Sequence, residues 1–526
     1  MSSSANDDDD DNGIPSTKDI LASIDDIQAE AINFLQRIVA INSTLEVGEG
    51  NVQNVIYDHI QQILGNDRFD VTKHPVRLED ICNIRGYSPV DWKYDDGQKF
   101  NVVARSRCSP NTTTDNGDAV FLCGHVDVVP ATYSDGWTKD PYDAYIKDGR
   151  MYGRGSGDMK AGVVAMIYAL VAIQQLGYMP GKGGVTICTV VEEECTGNGA
   201  LASIIDNSSG GGVAGCFCCP SDRRTSIVPL DIINTSDNDV DAAAATKKKG
   251  GINSGRTAVI IPEPFPWIVT AQMGVLWFRA TVTGKPCHVL STSSGSNAIE
   301  GAYALYDSLR TIEDRYNEPK GCAHPAFVGI DHPVNFNLGK IVGGNWASSV
   351  PSNCTFEVRV GFFPGVQIDN VKQDVETTLN TKAKELGLGL EITYQGFHAD
   401  GAVLLPEYVN GMAQNVDDDS GGGSSSSTLL QREFVKTLRK CNAHATKESS
   451  PSSPLKELHL KPVTCTTDAR FYSSLFQDPS KVVVTCYGPE AKNIHGVDES
   501  VCLDSFRDVT ATMALFIRDW CGLVKL

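Results

Sequence analysis

AVFLCGHVDVVP, residues 119–130, is a short apolar run that gives way to a histidine and an aspartate two residues apart. Ala119–Cys123 is apolar on both faces, the mark of a strand buried inside a sheet. In extended chain His125 and Asp127 point to the same side. Downstream, Asp158 opens a helical pattern that stops at Gly177, with Val163, Ile167, Leu170 and Ile173 on its face. Val185–Val191 is a second strand, rich in β-branched residues. Strand, helix and strand at this spacing make a βαβ unit, so the sheet is parallel and the class α/β. Such sheets place ligand groups at the carboxyl ends of their strands, where His125 and Asp127 stand.

Working outward, the chain of 526 residues is long enough for two or three domains. With 41% hydrophobic residues it can bury a sizeable core. The formal charge of −20 argues against nucleic acid and against an anionic membrane surface as partners. No run approaches eighteen consecutive apolar residues, and the first twenty residues lack the basic start and apolar stretch of a signal peptide. The sixteen cysteines are scattered, so a reducing, cytoplasmic setting is expected. Cys216, Cys218 and Cys219 stand too close together for the usual zinc pair.

Residues 1–16, with the run Asp7–Asp11, read as a solvated acidic tail. A helix starts near Ser16–Thr17, where Ile20, Ile24, Ile27 and Leu35 recur at helical spacing. Residues 206–255, 412–428 and 444–454 lack periodicity and read as insertions. Residues 275–394 carry a β-α-β-β-α-β order, the ferredoxin-like signature. The expected organisation is a first part of one domain over 17–271, an interrupting domain over 272–395, and the remainder of the first over 396–526.

Three further segments bear on chemistry. In GRGSGDMK (153–160) three glycines let the backbone turn before Asp158, which is either a helix N-cap or a ligand. A phosphate loop is disfavoured, since a carboxylate stands where the phosphate would sit. Glu192, Glu193 and Glu194 end a buried strand, where they need cations or water. They are a solvated turn, or else one ligates a metal while its neighbour acts as base. His495 in NIHG gains weight only from this company.

Together these segments resemble the M20 metallopeptidase family, in particular its acetylornithine deacetylase and succinyl-diaminopimelate desuccinylase branch. GHVDVVP (124–130), GRGSGDMKAG (153–162), VVEEECTGNGA (190–200), IIPEP (260–264) and NIHGVDES (493–500) follow in the family's order. The resemblance implies a zinc-peptidase-like catalytic domain and a lid or dimerisation domain. It also implies two metal ions per subunit, normally zinc, with cobalt or manganese as substitutes. On it, His125 binds the first metal, Asp127 orients His125, and Asp158 bridges both metals across a cis peptide bond to the next residue. Glu193 is the general base, and Glu194 and His495 hold the second metal. His288, in FRATVTGKPCH, reaches across a homodimer through the lid to stabilise the oxyanion, and Arg359 binds a substrate carboxylate. TTDARFY (466–472) matches a family segment near the site.

Two departures stand out. Six residues before Glu263 the family carries an aspartate that ligates the first metal; this chain has Thr257, a poor zinc ligand. The first metal is then expected to keep only His125 and Asp158, unless Asp237, Asp239 or Asp241 substitutes. Ser348 replaces the lid asparagine of the GGxxxNxVP pattern. The expected function is hydrolysis of an N-acyl amino acid such as an acylornithine. The alternatives are a metallo-carboxypeptidase or dipeptidase acting on short peptides, and a non-catalytic binding protein that has lost the first metal.

Overall fold

A computed structural model describes residues 13–65, 68–95, 97–107, 117–204, 255–318, 324–409, 425–446, 455–475 and 480–526. The acidic run, the tight cysteine cluster and Asp237, Asp239 and Asp241 lie outside the described residues. The strands used below are β1 (Phe69–Pro75), β2 (Phe100–Ser106), β3 (Ala119–His125), β4 (Val185–Val190), β5 (Thr257–Ile261), β6 (Gly274–Thr283), β7 (Phe336–Gly343), β8 (Asn353–Phe362), β9 (Gly389–Thr393) and β10 (Val482–Cys486). The helices are α1 (Thr17–Val39), α2 (Gly50–Ile63), α3 (Ala161–Gln175), α4 (Ala298–Ser308), α5 (Ile368–Leu386), α6 (Ser426–Ala445) and α7 (Leu503–Cys521).

The main sheet has the order β1-β2-β4-β3-β5-β10. β3 runs parallel to β4 and β5, and β5 parallel to β10, while β1 and β2 add an antiparallel edge. Every residue of β3 and β4 is buried, as the continuous apolar runs require. α3 is buried along almost its whole circumference and packs against α1 and α7. By length and composition Ser156–Gln175 could cross a membrane, yet it is a core helix. Gly162 lets α3 approach the turn after β5: a Cβ there would lie 2.0 Å from the Pro262 carbonyl oxygen. α1 begins where the sequence signals it, with Ser16 and Asp19 in a reciprocal capping box.

The second domain has its own core. Its sheet runs β7-β8-β6-β9, with His398–Ala399 pairing on β6, and α4 and α5 cover one face. The element order is the ferredoxin-like one expected between 275 and 394.

Three expectations need correction. Asp158 is not the N-cap of a helix: it has extended backbone angles inside a π-type turn, and α3 starts at Ala161. The proposed insertions 412–428 and 444–454 overlap α6, whose N-cap is Ser425; a serine run supplies caps as well as linkers. β1, β2 and α2 lie before residue 118 with no strand or helix assigned to them from sequence. Polar residues alternate on the outer edge strand β1 and hide its pattern.

His59 in α2 stacks on Phe34 of α1, ring centroids 3.6 Å apart, and lies 3.0 Å from the Tyr168 hydroxyl of α3. Burial, aided by the Arg37 charge, pushes its imidazole down to about 4. In the unfolded chain the group keeps its ordinary value near 6.5, so the unfolded state takes the proton first. His59 therefore costs no stability above about pH 6.5 and progressively more as pH falls toward about 4. His59→Gln should lose stability less steeply than wild type in urea titrations between about pH 7 and about pH 4.5. Parallel pH profiles would contradict this.

Candidate metal centre

Parallel register assembles the centre. β4, β3 and β5 lie side by side, and each delivers acids or a histidine at its carboxyl end: Glu192–Glu194, then His125 and Asp127, then Glu263. His125 stands opposite Val190 in the β3–β4 ladder. A small sheet of Tyr145–Lys147, Arg150–Tyr152, Ser500–Cys502 and Ala491–Lys492 carries the other two loops, with Asp158 and His495. Buried Glu499 braces them: it pairs with Arg154 and accepts hydrogen bonds from the Gly157 and Asp158 amides at 2.9 and 3.1 Å.

Asp158 sits between two histidines. Its Oδ1 is 3.1 Å from His125 Nε2 and its Oδ2 is 3.5 Å from His495 Nε2. The Asp158–Met159 peptide bond is cis. His495 Nε2 lies 3.0 Å from the Glu194 carboxylate. On the other side His125 Nε2 is 3.9 Å from Glu263 and 4.0 Å from Glu193. Two overlapping groups have ligand atoms within 4.8 Å of one another: His125, Asp158 and Glu194, and His125, Glu193 and Glu263.

Asp127 has a broader task than orienting His125. His125 Nδ1–H donates to the Asp127 carbonyl at 3.1 Å, and the Asp127 carboxylate is 3.5 Å away. That carboxylate accepts the Glu193 and Glu194 amides at 3.1 and 2.9 Å. Asp127 thus fixes the turn that aims both glutamates. Glu192 points away from the centre, with φ of 63°, into a separate buried cluster.

The electrostatics are those of a pocket short of positive charge. Burial and the neighbouring acids push Glu193 and Glu263 well above the usual carboxylate range. Burial also raises Glu194, against the pull of His495. The Glu194 charge lifts His495 to about 11. Burial opposes the charge on Asp158, but hydrogen bonds from His125 and His495 win and hold it low. Nearby Asp468 is buried, and neither of its oxygens has a hydrogen-bond partner among the described residues. Burial pushes it up to about 7, with Arg470 and His125 opposing. Imidazole nitrogens and carboxylate oxygens around this pocket suit a divalent ion such as zinc, cobalt or manganese, whose charge would replace the protons these groups retain.

Thr257 does not belong to this centre. It opens β5, paired with Ala119 at the far end of β3 from His125. Six residues of strand put it about 20 Å from the carboxyl ends. Glu263 itself, of the Glu-Pro pair, occupies the position beside His125. The premise of a lost first-metal ligand, and of a binding protein built on it, therefore falls.

The remaining predicted residues stand further out. His288 is exposed on the second domain and is not part of the cluster; its Nδ1 accepts the Leu290 amide at 3.2 Å, leaving Nε2–H free to donate. Ser348 is exposed beside Ser349, which bridges to His288. Arg359 on β8 is half-buried, and burial lowers its guanidinium pKa. Its hydrogen bonds go to the Asn335 and Thr464 carbonyls, both at 3.4 Å, and among the described residues no carboxylate pairs with it. Cys465 follows Thr464, and its thiol senses the charges of both Arg359 and the acids of the centre. Cys465 is an exposed residue; desolvation of its thiol and the charge of Glu263 raise its pKa, while Arg359 pulls the other way.

The chain matches the model of "Peptidase family M20/M25/M40" over residues 121–519. It is 32% identical over 322 residues to a probable succinyl-diaminopimelate desuccinylase of Staphylococcus aureus (strain MSSA476), covering 57% of this chain and 67% of that protein. It is 26% identical over 283 residues to an acetylornithine deacetylase of Proteus mirabilis, covering 53% and 57%. Among solved structures it is similar in fold to the dipeptidase Dug1p of Saccharomyces cerevisiae, with a TM-score of 0.65, 13% identity, and 96% and 98% of the two chains covered.

Glu263→Gln should weaken zinc binding by about tenfold or more in calorimetric titration. Thr257→Val should leave it unchanged. The opposite pattern would return the ligand position to residue 257.

Proposed function

The chain belongs to peptidase family M20/M25/M40 and is a metallohydrolase of amide bonds, and on that premise we propose that it removes the acyl group from an N-acyl amino acid with a free carboxylate. The single observation that carries the substrate class is Arg359: a half-buried guanidinium that pairs with no carboxylate among the described residues and whose charge reaches the same Cys465 thiol as the charges of Glu263 and Glu193. Its planar fork matches a carboxylate with two parallel hydrogen bonds. The names of the two curated relatives, a desuccinylase and a deacetylase, favour an acyl group over a second amino acid.

In this reading His125, Glu263, Asp158, Glu194 and His495 are the residues that would hold the metal ions, zinc being the ion favoured. When bound there, such ions would supply positive charge that acidifies water and polarises the amide carbonyl. Glu193 takes the proton from the attacking water as its oxygen bonds to the carbonyl carbon. It then gives that proton to the nitrogen as the carbon–nitrogen bond breaks. Asp127 keeps His125 in one tautomer and the two glutamates in place. His288 of a second copy donates Nε2–H to the developing oxyanion. Exposed Leu290 and Trp346 on the loops around His288 favour such a dimer through the lid.

Turnover of N-acetyl and N-succinyl amino acids, abolished by a chelator, is expected, with dipeptides poorer substrates. Cleavage of dipeptides alone would favour the dipeptidase alternative, and no cleavage of either class would overturn the proposal. Glu193→Gln should lower kcat by about 10²–10⁴-fold while retaining metal. Arg359→Ala should raise KM by about tenfold or more for a substrate with a free carboxylate and leave its carboxamide analogue little changed.

A further inference from the structure

Glu192 is fully buried, yet its carboxylate is not part of the metal centre. Four side chains converge on it. Trp92 Nε1 donates to Oε1 at 2.9 Å, the Tyr94 hydroxyl donates to Oε2, and Thr196 Oγ1 donates to Oε2 at 2.9 Å. Lys99 Nζ lies 2.9 Å from Oε1 and 2.8 Å from Glu49, so one buried ammonium serves two buried carboxylates. An acid held this completely, on a backbone with φ of 63°, fixes the peptide on which Glu193 follows.

Three of these partners come from the segment leading into β2, which lies before the family-matched region. The same segment grips the turn again further on. Ser88 N donates to Asn198 Oδ1 at 3.1 Å, and Asn198 Nδ2 donates to the Ser88 carbonyl at 3.0 Å. Its opposite side is bound to the second domain. The Gly396 amide donates to the Pro89 carbonyl at 2.8 Å, Arg279 pairs with Asp91, and Arg85 pairs with Asp400. One hydroxyl joins the two sides: Ser88 Oγ accepts the His398 amide at 3.1 Å and donates to the Thr196 carbonyl at 2.9 Å.

We infer that residues 85–95 form a strap that ties the seating of the lid to the aim of Glu193 and Glu194, with Glu192 and Ser88 as its positioning residues. This rests on the metallohydrolase reading of the centre. The turn is clamped twice, by Asp127 from β3 and by the strap through Glu192. The ion pairs to the lid are exposed and contribute little. The buried hydroxyl and the backbone bonds carry the connection. A rise of even about 1 Å in the freedom of a catalytic group can cost about 10²-fold in rate, so loosening the strap acts on turnover.

The test compares Tyr94→Phe, Ser88→Ala, Glu192→Gln and Glu192→Asp with wild type. Each is read by steady-state kinetics on the best acyl amino acid, by bound metal, and by the visible absorption spectrum of the cobalt-loaded protein. Expected are a fall in kcat of about tenfold for Tyr94→Phe and Glu192→Gln with KM within about twofold, partial recovery in Glu192→Asp, and shifted cobalt bands at full occupancy. Tyr94→Phe removes one hydroxyl and keeps the test open if Glu192→Gln does not fold. Unchanged kcat and cobalt spectra in Tyr94→Phe and Ser88→Ala, or losses that track only bound metal and melting temperature, overturn the inference. A wild-type protein that binds cobalt but cleaves nothing defeats the substrate reading alone, because the cobalt spectra still report on the strap. A wild type that binds no cobalt and cleaves nothing overturns both.

Discussion

Everything at the centre hangs on the Asp127 carboxylate gripping two consecutive amides of the turn after β4. The grip is available only because β3 and β4 are parallel neighbours in a register that sets His125 against Val190. A carboxylate accepting two backbone amides is stabilised in its charged form, and charge-assisted bonds of this kind are the stronger ones. One side chain thus fixes the imidazole beneath it and the two glutamates beyond it. A shift of either strand by one residue would turn His125 to the other face of the sheet and release the turn together with it.

Around that grip the pocket gathers more acid than it can neutralise. Asp158, Glu193, Glu194, Glu263 and Asp468 share the positive charge of two histidines and Arg470, and the raised carboxyls and histidines record the shortage. The cost of burying these groups is carried by the core beneath them. β3, β4 and α3 are buried along their lengths and leave the acids little freedom to turn outward to water. Stability of the core and crowding of charge at the centre are therefore two ends of the same strands, and a metal ion that relieved the second would also stabilise the folded state by binding it alone.

Much of this was legible in the sequence because the decisive pattern is local. The apolar run into His125, the β-branched run into the glutamates and the glycine turn before Asp158 each encode a strand end or a loop. The ferredoxin-like order was readable from alternation and helical spacing. Position 257 opens β5, whereas the group beside His125 comes after that strand, where it ends next to β3. A carboxylate following an apolar run was the available signal, the same signal that identified Glu192–Glu194. Glu192 itself was unreadable, because its partners lie about a hundred residues away in a segment with no periodic pattern. The edge strand β1 was lost for a related reason: its outward residues are polar, and its inward ones are too few to form a signature.

The distribution of these partners bears on where the catalytic unit begins. The family-matched stretch starts at residue 121, inside β3, yet two strands of the main sheet and the donors on Glu192 precede it. Without β2, strand β4 would present an open edge, and Gln53 would no longer bridge the Phe100 and Thr189 carbonyls at 3.0 Å each. Without Trp92, Tyr94 and Lys99, Glu192 would be a buried charge with a single hydroxyl for company, an expensive arrangement. The turn bearing Glu193 would then be held from one side only. The motifs carry the clustered acids and histidines, but the seating of the Glu193 turn depends on residues before them, so the folded unit extends back through α2 and the segment 85–95.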